Sequence, residues 1–133
     1  VKQFSWPVRV YYEDTDSGGV VYYANYLKFM ERARTEWLRA LGYEQDVLLQ
    51  EHGLVFAVRS VQIDYLQPAR FNDALTVTVQ VAELGGASIE LAQCIQRTTP
   101  DAALCQGKVK IVCVNATSFK PMAIPRVIKS KIQ

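Results

Sequence analysis

The sequence holds a single histidine, His52, and that scarcity removes every catalytic triad or metal centre needing two imidazoles. It has no GxSxG elbow, no P-loop and no GxGxxG turn. Serine-hydrolase, nucleotide-hydrolase and dinucleotide-binding readings therefore have no motif to stand on. Cys94, Cys105 and Cys113 are odd in number and form no CxxC pair. They read as reduced, small apolar residues on strands, as expected of a cytoplasmic protein. No apolar run approaches the roughly 20 residues of a membrane span, and the first residues show no signal-peptide pattern. Neither sign of charge dominates, since 15 basic and 13 acidic residues leave +2. That balance gives no reason to expect nucleic acid or an anionic membrane as a partner. No cluster of metal ligands and no cofactor motif appears, so neither a metal nor a cofactor is expected.

What is present suffices for one folded domain over residues 1–133. Half of the residues are hydrophobic and 21% are charged, a composition that builds a core. A chain of this length buries roughly two-thirds of its unfolded surface.

The pattern of apolar residues predicts the elements. Val8 to Tyr12 alternates like a strand and runs into Glu13-Asp-Thr-Asp-Ser-Gly-Gly19, which has loop chemistry. Tyr23, Tyr26, Leu27, Met30, Ala33, Trp37, Leu38 and Leu41 then fall on one helical face. Lys28, Arg32, Glu36 and Arg39 lie opposite, and Arg32 is spaced to pair with Glu36. Gly42 is placed to end this helix in the left-handed conformation. A weaker helix is expected over 45–51, closed by His52-Gly53, with His52 near its capping end. Beyond it the period becomes two: strands are expected around 61–65, 75–81, 88–97 and 104–115, with turns at Gly85-Gly86 and Thr99-Pro100-Asp101. One strand, one long helix and an antiparallel meander make an α+β fold in which the sheet covers the helix.

The acidic loop ahead of the main helix is where chemistry has material. A helix start offers unpaired N–H groups and a positive dipole end, which can hold an oxyanion. A nearby carboxylate, from Asp14 or Asp16, supplies a base or a nucleophile. A thioester suits such equipment, because its thiolate leaves with little acid assistance. The same residues also serve a plainer purpose, shaping the turn and capping the helix, and composition alone leaves both readings open.

The run from Arg9 through Asp14-Thr-Asp16-Ser-Gly18-Gly19 to Tyr26 resembles the signature of the 4-hydroxybenzoyl-CoA thioesterase family. The segments VRVYYEDTDSGGVVY and NYLKFMERARTEWL are similar to the acyl-CoA thioesterases associated with the Tol–Pal envelope system, the YbgC type. The likeness continues through 61–65, through 67–73 and to Lys120-Pro121. It implies a hotdog fold, a curved antiparallel sheet of five or six strands wrapped around one central helix. It implies hydrolysis of an acyl-CoA, with acyl carrier protein as a second possible carrier. It assigns Asp16 as the catalytic carboxylate, the Tyr23 backbone amide as oxyanion donor, and Gly18 and Gly19 as positions of close approach to the thioester. Ser88 matches a position near the nucleotide of coenzyme A. The basic residues preceding it in the 4-hydroxybenzoyl-CoA enzymes are Gly86 and Ala87 here, so that phosphate clamp is not reproduced and Lys108, Lys110 or Lys120 would have to help. YbgC-type members usually carry histidine where this chain has Tyr23, whereas Pseudomonas-type members carry tyrosine. The family also pairs its subunits so that sites lie between protomers, which implies a homo-oligomer, a dimer of dimers. Two competitors remain: a non-catalytic hotdog protein that binds acyl carriers or envelope-lipid enzymes, and a hydratase, which needs a histidine near the helix.

Overall fold

A computed structural model describes residues 2–133. Five strands, β1 (Gln3–Arg9), β2 (Leu54–Tyr65), β3 (Ala74–Leu84), β4 (Ser88–Arg97) and β5 (Ala102–Asn115), form one antiparallel sheet. Its order is β1-β3-β4-β5-β2. The long helix α1 (Asn25–Ala40) lies on one face, with a short α2 (Gln45–Val47) and a C-terminal α3 (Arg126–Ile132) at its far end. This is the α+β hotdog arrangement.

Strands β3, β4 and β5 form the expected meander, but β2 does not join it next to β3. It pairs with β5 at the sheet's edge, from Leu54 opposite Asn115 to Tyr65 opposite Cys105. The alternation at 61–65 covers only the end of this 12-residue strand. Strand β1 also corrects the reading: it begins at Gln3, carries Phe4, Trp6 and Val8 against the core, and stops at Arg9. It ends there because the Tyr11 N–H donates to Asp14 Oδ2 (2.8 Å), which closes a 3-10 turn over Tyr12–Asp14. Pro7 is tolerated because β1 is an edge strand. The C-terminal helix has no counterpart in the sequence reading.

The stripe of α1 is buried at Tyr26, Phe29, Met30, Ala33, Trp37 and Leu38, against inward residues such as Val77, Leu91, Ile95 and Val109. Burying one such side chain contributes about 1.5–3 kcal/mol. Gly42 closes the helix at φ 99°; its N–H reaches Arg39 O, and the Tyr43 N–H reaches Leu38 O, a Schellman ending. The expected Arg32–Glu36 pair does not form. Arg39 takes Glu36 (2.6 Å) and Glu44 (3.0 Å), while the Arg32 guanidinium lies over the Phe29 ring. One polar side chain interrupts the seam: Gln93 of β4 donates to Met30 O (3.1 Å) and accepts from Arg34 (3.0 Å). Cys105 and Cys113 are buried on β5, Cys94 is half-buried on β4, and all three are free thiols. Among the described residues no helix is long and apolar enough to cross a membrane.

Candidate active site

The acidic loop is held by its backbone. The Asp14 carbonyl accepts both the Tyr22 N–H (2.9 Å) and the Asn25 side-chain amide (2.9 Å). Asn25 is the first residue of α1 and is buried, so this amide ties the loop to the helix start. The Asp14 carboxylate meanwhile accepts the Tyr11 N–H, which makes Asp14 a shaping residue. Further on, the Asp16 N–H donates to Val20 O, and the Val21 N–H donates to Ala69 O. The loop is thereby pinned to the segment between β2 and β3.

Asp16 faces the other way. Its side chain is exposed in the single chain, and Oδ1 accepts the Gly18 N–H at 2.8 Å. A Cβ at position 18 would meet that oxygen at 3.2 Å, tighter than ordinary contact, so glycine keeps room for the carboxylate. Gly19 has φ 80°, a backbone setting that residues with a Cβ rarely adopt.

Helix α1 starts two residues later than its apolar stripe suggests, and Tyr23 sits in the turn before it. The Asn25 N–H donates to Tyr22 O (2.8 Å), which places Tyr23 and Ala24 at the two central positions of that turn. Among the described residues no acceptor takes the N–H of Tyr23 or Ala24. The Tyr23 ring is 62% exposed rather than part of the core.

A cleft of about 280 Å³ opens beside this turn, lined by Val21, Tyr23, Tyr26, Tyr65, Leu66 and Pro68. The Tyr65 hydroxyl donates to Tyr23 O (3.2 Å), and its ring lies 5.5 Å from that of Tyr26. The Tyr26 hydroxyl accepts the Ala69 N–H at 3.0 Å. Burial raises the hydroxyl pKa of both Tyr26 and Tyr65, so neither is poised as a base near neutrality. Tyr65, Tyr26 and Asn25 were not singled out for this site. Their sequence signals are those of strand alternation and helix stripe, which carry no hint of a cleft.

Ser88 lies elsewhere. It opens β4 at the Gly85-Gly86 hairpin, whereas the Asp16 loop abuts the start of β3 at Asp73–Ala74. An 11-residue strand separates the two ends, roughly 30 Å along the sheet. Within one chain Asp16, Gly18 and Gly19 share one turn, Tyr23 follows in the next turn beyond the Tyr22–Asp14 backbone bond, and Ser88 lies apart. His52 is exposed in the turn Leu48–His52 that ends at Gly53, away from this loop.

A model of the thioesterase-like superfamily matches residues 10–132. The chain belongs to that superfamily. Within it, the chain is 49% identical over 127 residues to the acyl-CoA thioesterase YbgC of Haemophilus influenzae, covering 96% of this chain and 92% of that protein. It is 42% identical over 130 residues to the acyl-CoA thioester hydrolase YbgC of Escherichia coli O6:H1, covering 98% and 96%. A 4-hydroxybenzoyl-CoA thioesterase variant, solved with 4-hydroxybenzoyl-CoA, superposes with a TM-score of 0.92 over the whole of both chains. At 19% identity that superposition speaks for the superfamily fold alone.

Proposed function

We propose that this chain hydrolyses acyl-CoA thioesters to the free acid and coenzyme A, with Asp16 as the reacting carboxylate and the Tyr23 N–H as oxyanion donor. One observation carries this reading: an exposed carboxylate and an uncommitted backbone N–H share a loop locked by hydrogen bonds. The names of the YbgC relatives fit it. The thioester carbonyl oxygen takes the N–H, which holds the negative charge that develops as the carbon becomes tetrahedral. Attack on that carbon has two routes. Asp16 adds directly, expels the thiolate and leaves an anhydride that water then splits. Alternatively Asp16 takes a proton from water, and the hydroxide adds as the thiolate leaves. A thiol is far more acidic than an alcohol or an amine, so the sulfur departs without a dedicated acid.

The aromatic cleft beside Tyr23 receives the acyl group next to the carbonyl. A free-standing chain leaves Asp16 in solvent and Ser88 at the opposite end of the sheet, so the working site is completed by a second copy. That copy contributes Ser88 and its hairpin, in a dimer or dimer of dimers. The protein acts in the cytoplasm, and acyl carrier protein is a second carrier to test.

The test is thiol release from short aliphatic, long aliphatic and aromatic CoA thioesters, with acyl carrier protein thioesters as a further arm. Asp16→Asn should lower kcat about 10³-fold or more at an unchanged melting temperature. Near-parental release from that variant would sink the assignment to Asp16. A parent chain inactive on every ester would favour the non-catalytic carrier-binding protein.

A further inference from the structure

A helix commonly orders its first turn with a side-chain oxygen at the N-cap, which accepts one of the first N–H groups. Helix α1 has Ala24 there, with no side-chain cap and no acid in its first turn. Its own side chains therefore engage neither those donors nor the positive end of its dipole. The turn is ordered by other means. Its two ends, Tyr22 and Asn25, are both tied to the Asp14 carbonyl, through the Tyr22 N–H (2.9 Å) and the Asn25 side-chain amide (2.9 Å). Between them, the Tyr23 backbone takes one side-chain hydrogen bond among the described residues. It comes from the Tyr65 hydroxyl, which donates to Tyr23 O (3.2 Å).

Tyr65 is anchored well enough to serve as a strut. It is the last residue of β2 and lies opposite Cys105 of β5. Just beyond it, the Leu66 and Gln67 N–H groups both donate to Leu104 O (2.8 and 3.1 Å). Its ring lies 5.5 Å from that of the buried Tyr26 and edge-on to that of Tyr23 at 6.3 Å. Packing needs only the ring, and a phenylalanine would supply it. The hydroxyl alone reaches the carbonyl. That bond engages an acceptor of the turn and none of its donors, and among the described residues no acceptor takes the N–H of Tyr23 or Ala24. A cap would order the same turn by occupying a donor.

We infer that Tyr65 is a positioning residue for the hydrolysis: its hydroxyl holds the Tyr23 carbonyl, and through it the Tyr23 N–H stays aimed at the thioester oxygen. The inference rests on the acyl-CoA reading above and adds a residue that touches no reacting atom. A donor that swings must be oriented afresh in each transition state, whereas a fixed one meets the developing charge already in place. The hold acts on an oxygen that all thioesters share, so it is blind to the acyl group.

Steady-state kinetics on a short aliphatic and an aromatic CoA ester test this with Tyr65→Phe, which keeps the ring. For both esters kcat should fall about tenfold, with KM within about twofold and the melting temperature within a few degrees of the parent's. A mere wall of the acyl cleft would instead raise KM by an amount that varies with the acyl group. That pattern, or an unchanged kcat, would overturn the inference. A second arm asks whether the hydroxyl acts through the Tyr23 N–H. Tyr65→Phe should lower kcat about tenfold in a Tyr23→Ala background, where the donor remains, and no more than about twofold in Tyr23→Pro, where it is gone. Equal losses in the two backgrounds would also overturn it. The third arm needs no turnover: amide NMR relaxation should give lower order parameters at Tyr23 and Ala24 in Tyr65→Phe, with Val77 unchanged. Parental values at 23 and 24 would deny the hold. Should the parent cleave no ester, the hydrolase falls, and these order parameters alone uphold or overturn the grip of Tyr65 on the turn.

Discussion

The seam beneath α1 and the loop ahead of it are built on opposite principles. In the seam, side chains carry the structure: Phe29, Met30 and Ala33 are fully buried among strand residues. In the loop the backbone carries it: Asp16 pairs with Val20 and Gly19, Asp14 with Tyr22, and Val21 with Ala69, all through carbonyls and N–H groups, and Tyr11, Tyr12 and Tyr23 stay exposed. Damage to the seam should therefore cost stability, and damage to the loop should cost chemistry. Asp16→Asn, with its drop of about 10³-fold at constant melting temperature, is the sharpest separation of the two.

Phe29→Ala attacks the other side of the comparison. It should lower the unfolding free energy by about 3–5 kcal/mol in urea titrations, while turnover per folded molecule stays within a few-fold of the parent. A collapse of activity in the folded fraction would show that seam and loop are coupled. Tyr23→Pro removes the N–H together with the ring, at a turn position where proline is favoured, and is read against Tyr23→Ala, which removes the ring and keeps the N–H. Turnover should fall about 10²-fold or more, with the melting temperature shifted by no more than a few degrees. Parental rates in that variant would take the oxyanion role away from residue 23.

Alkaline pH tests the seam through one buried thiol. Burial pushes the Cys105 thiol up to about 12 from an ordinary 9.0. The folded chain then holds a proton that the unfolded chain has lost, so the stabilisation is complete below about pH 9 and is lost as pH rises toward 12. The urea midpoint should fall across that window, and less steeply in Cys105→Ala; equal slopes would refute the assignment to this thiol. Tyr23→Phe is the smallest effect: kcat should stay within about threefold, because the donor is a backbone group. A larger loss would bring the hydroxyl into the chemistry.

The sequence was legible where one periodicity governed a whole element. The α1 stripe and the alternation of β3, β4 and the later part of β5 gave their positions almost directly. It failed where pairing overrode pattern. Leu54 to Val58 is a continuous apolar run, which periodicity cannot assign, and its partner β5 lies 40 or more residues away. The aspartate loop stood out through its residue types. The cleft of Tyr23, Tyr26 and Tyr65 did not, since two elements distant in sequence build it.

Gln93 has a consequence for both regions. An apolar helix on an apolar sheet has many nearly equal settings, because greasy contacts carry little directional information. A single amide that must reach both the Met30 carbonyl and the Arg34 guanidinium removes that freedom. It works as a key in a shaft, fixing the angle at which α1 is clocked and hence where its first residue, Asn25, meets the loop.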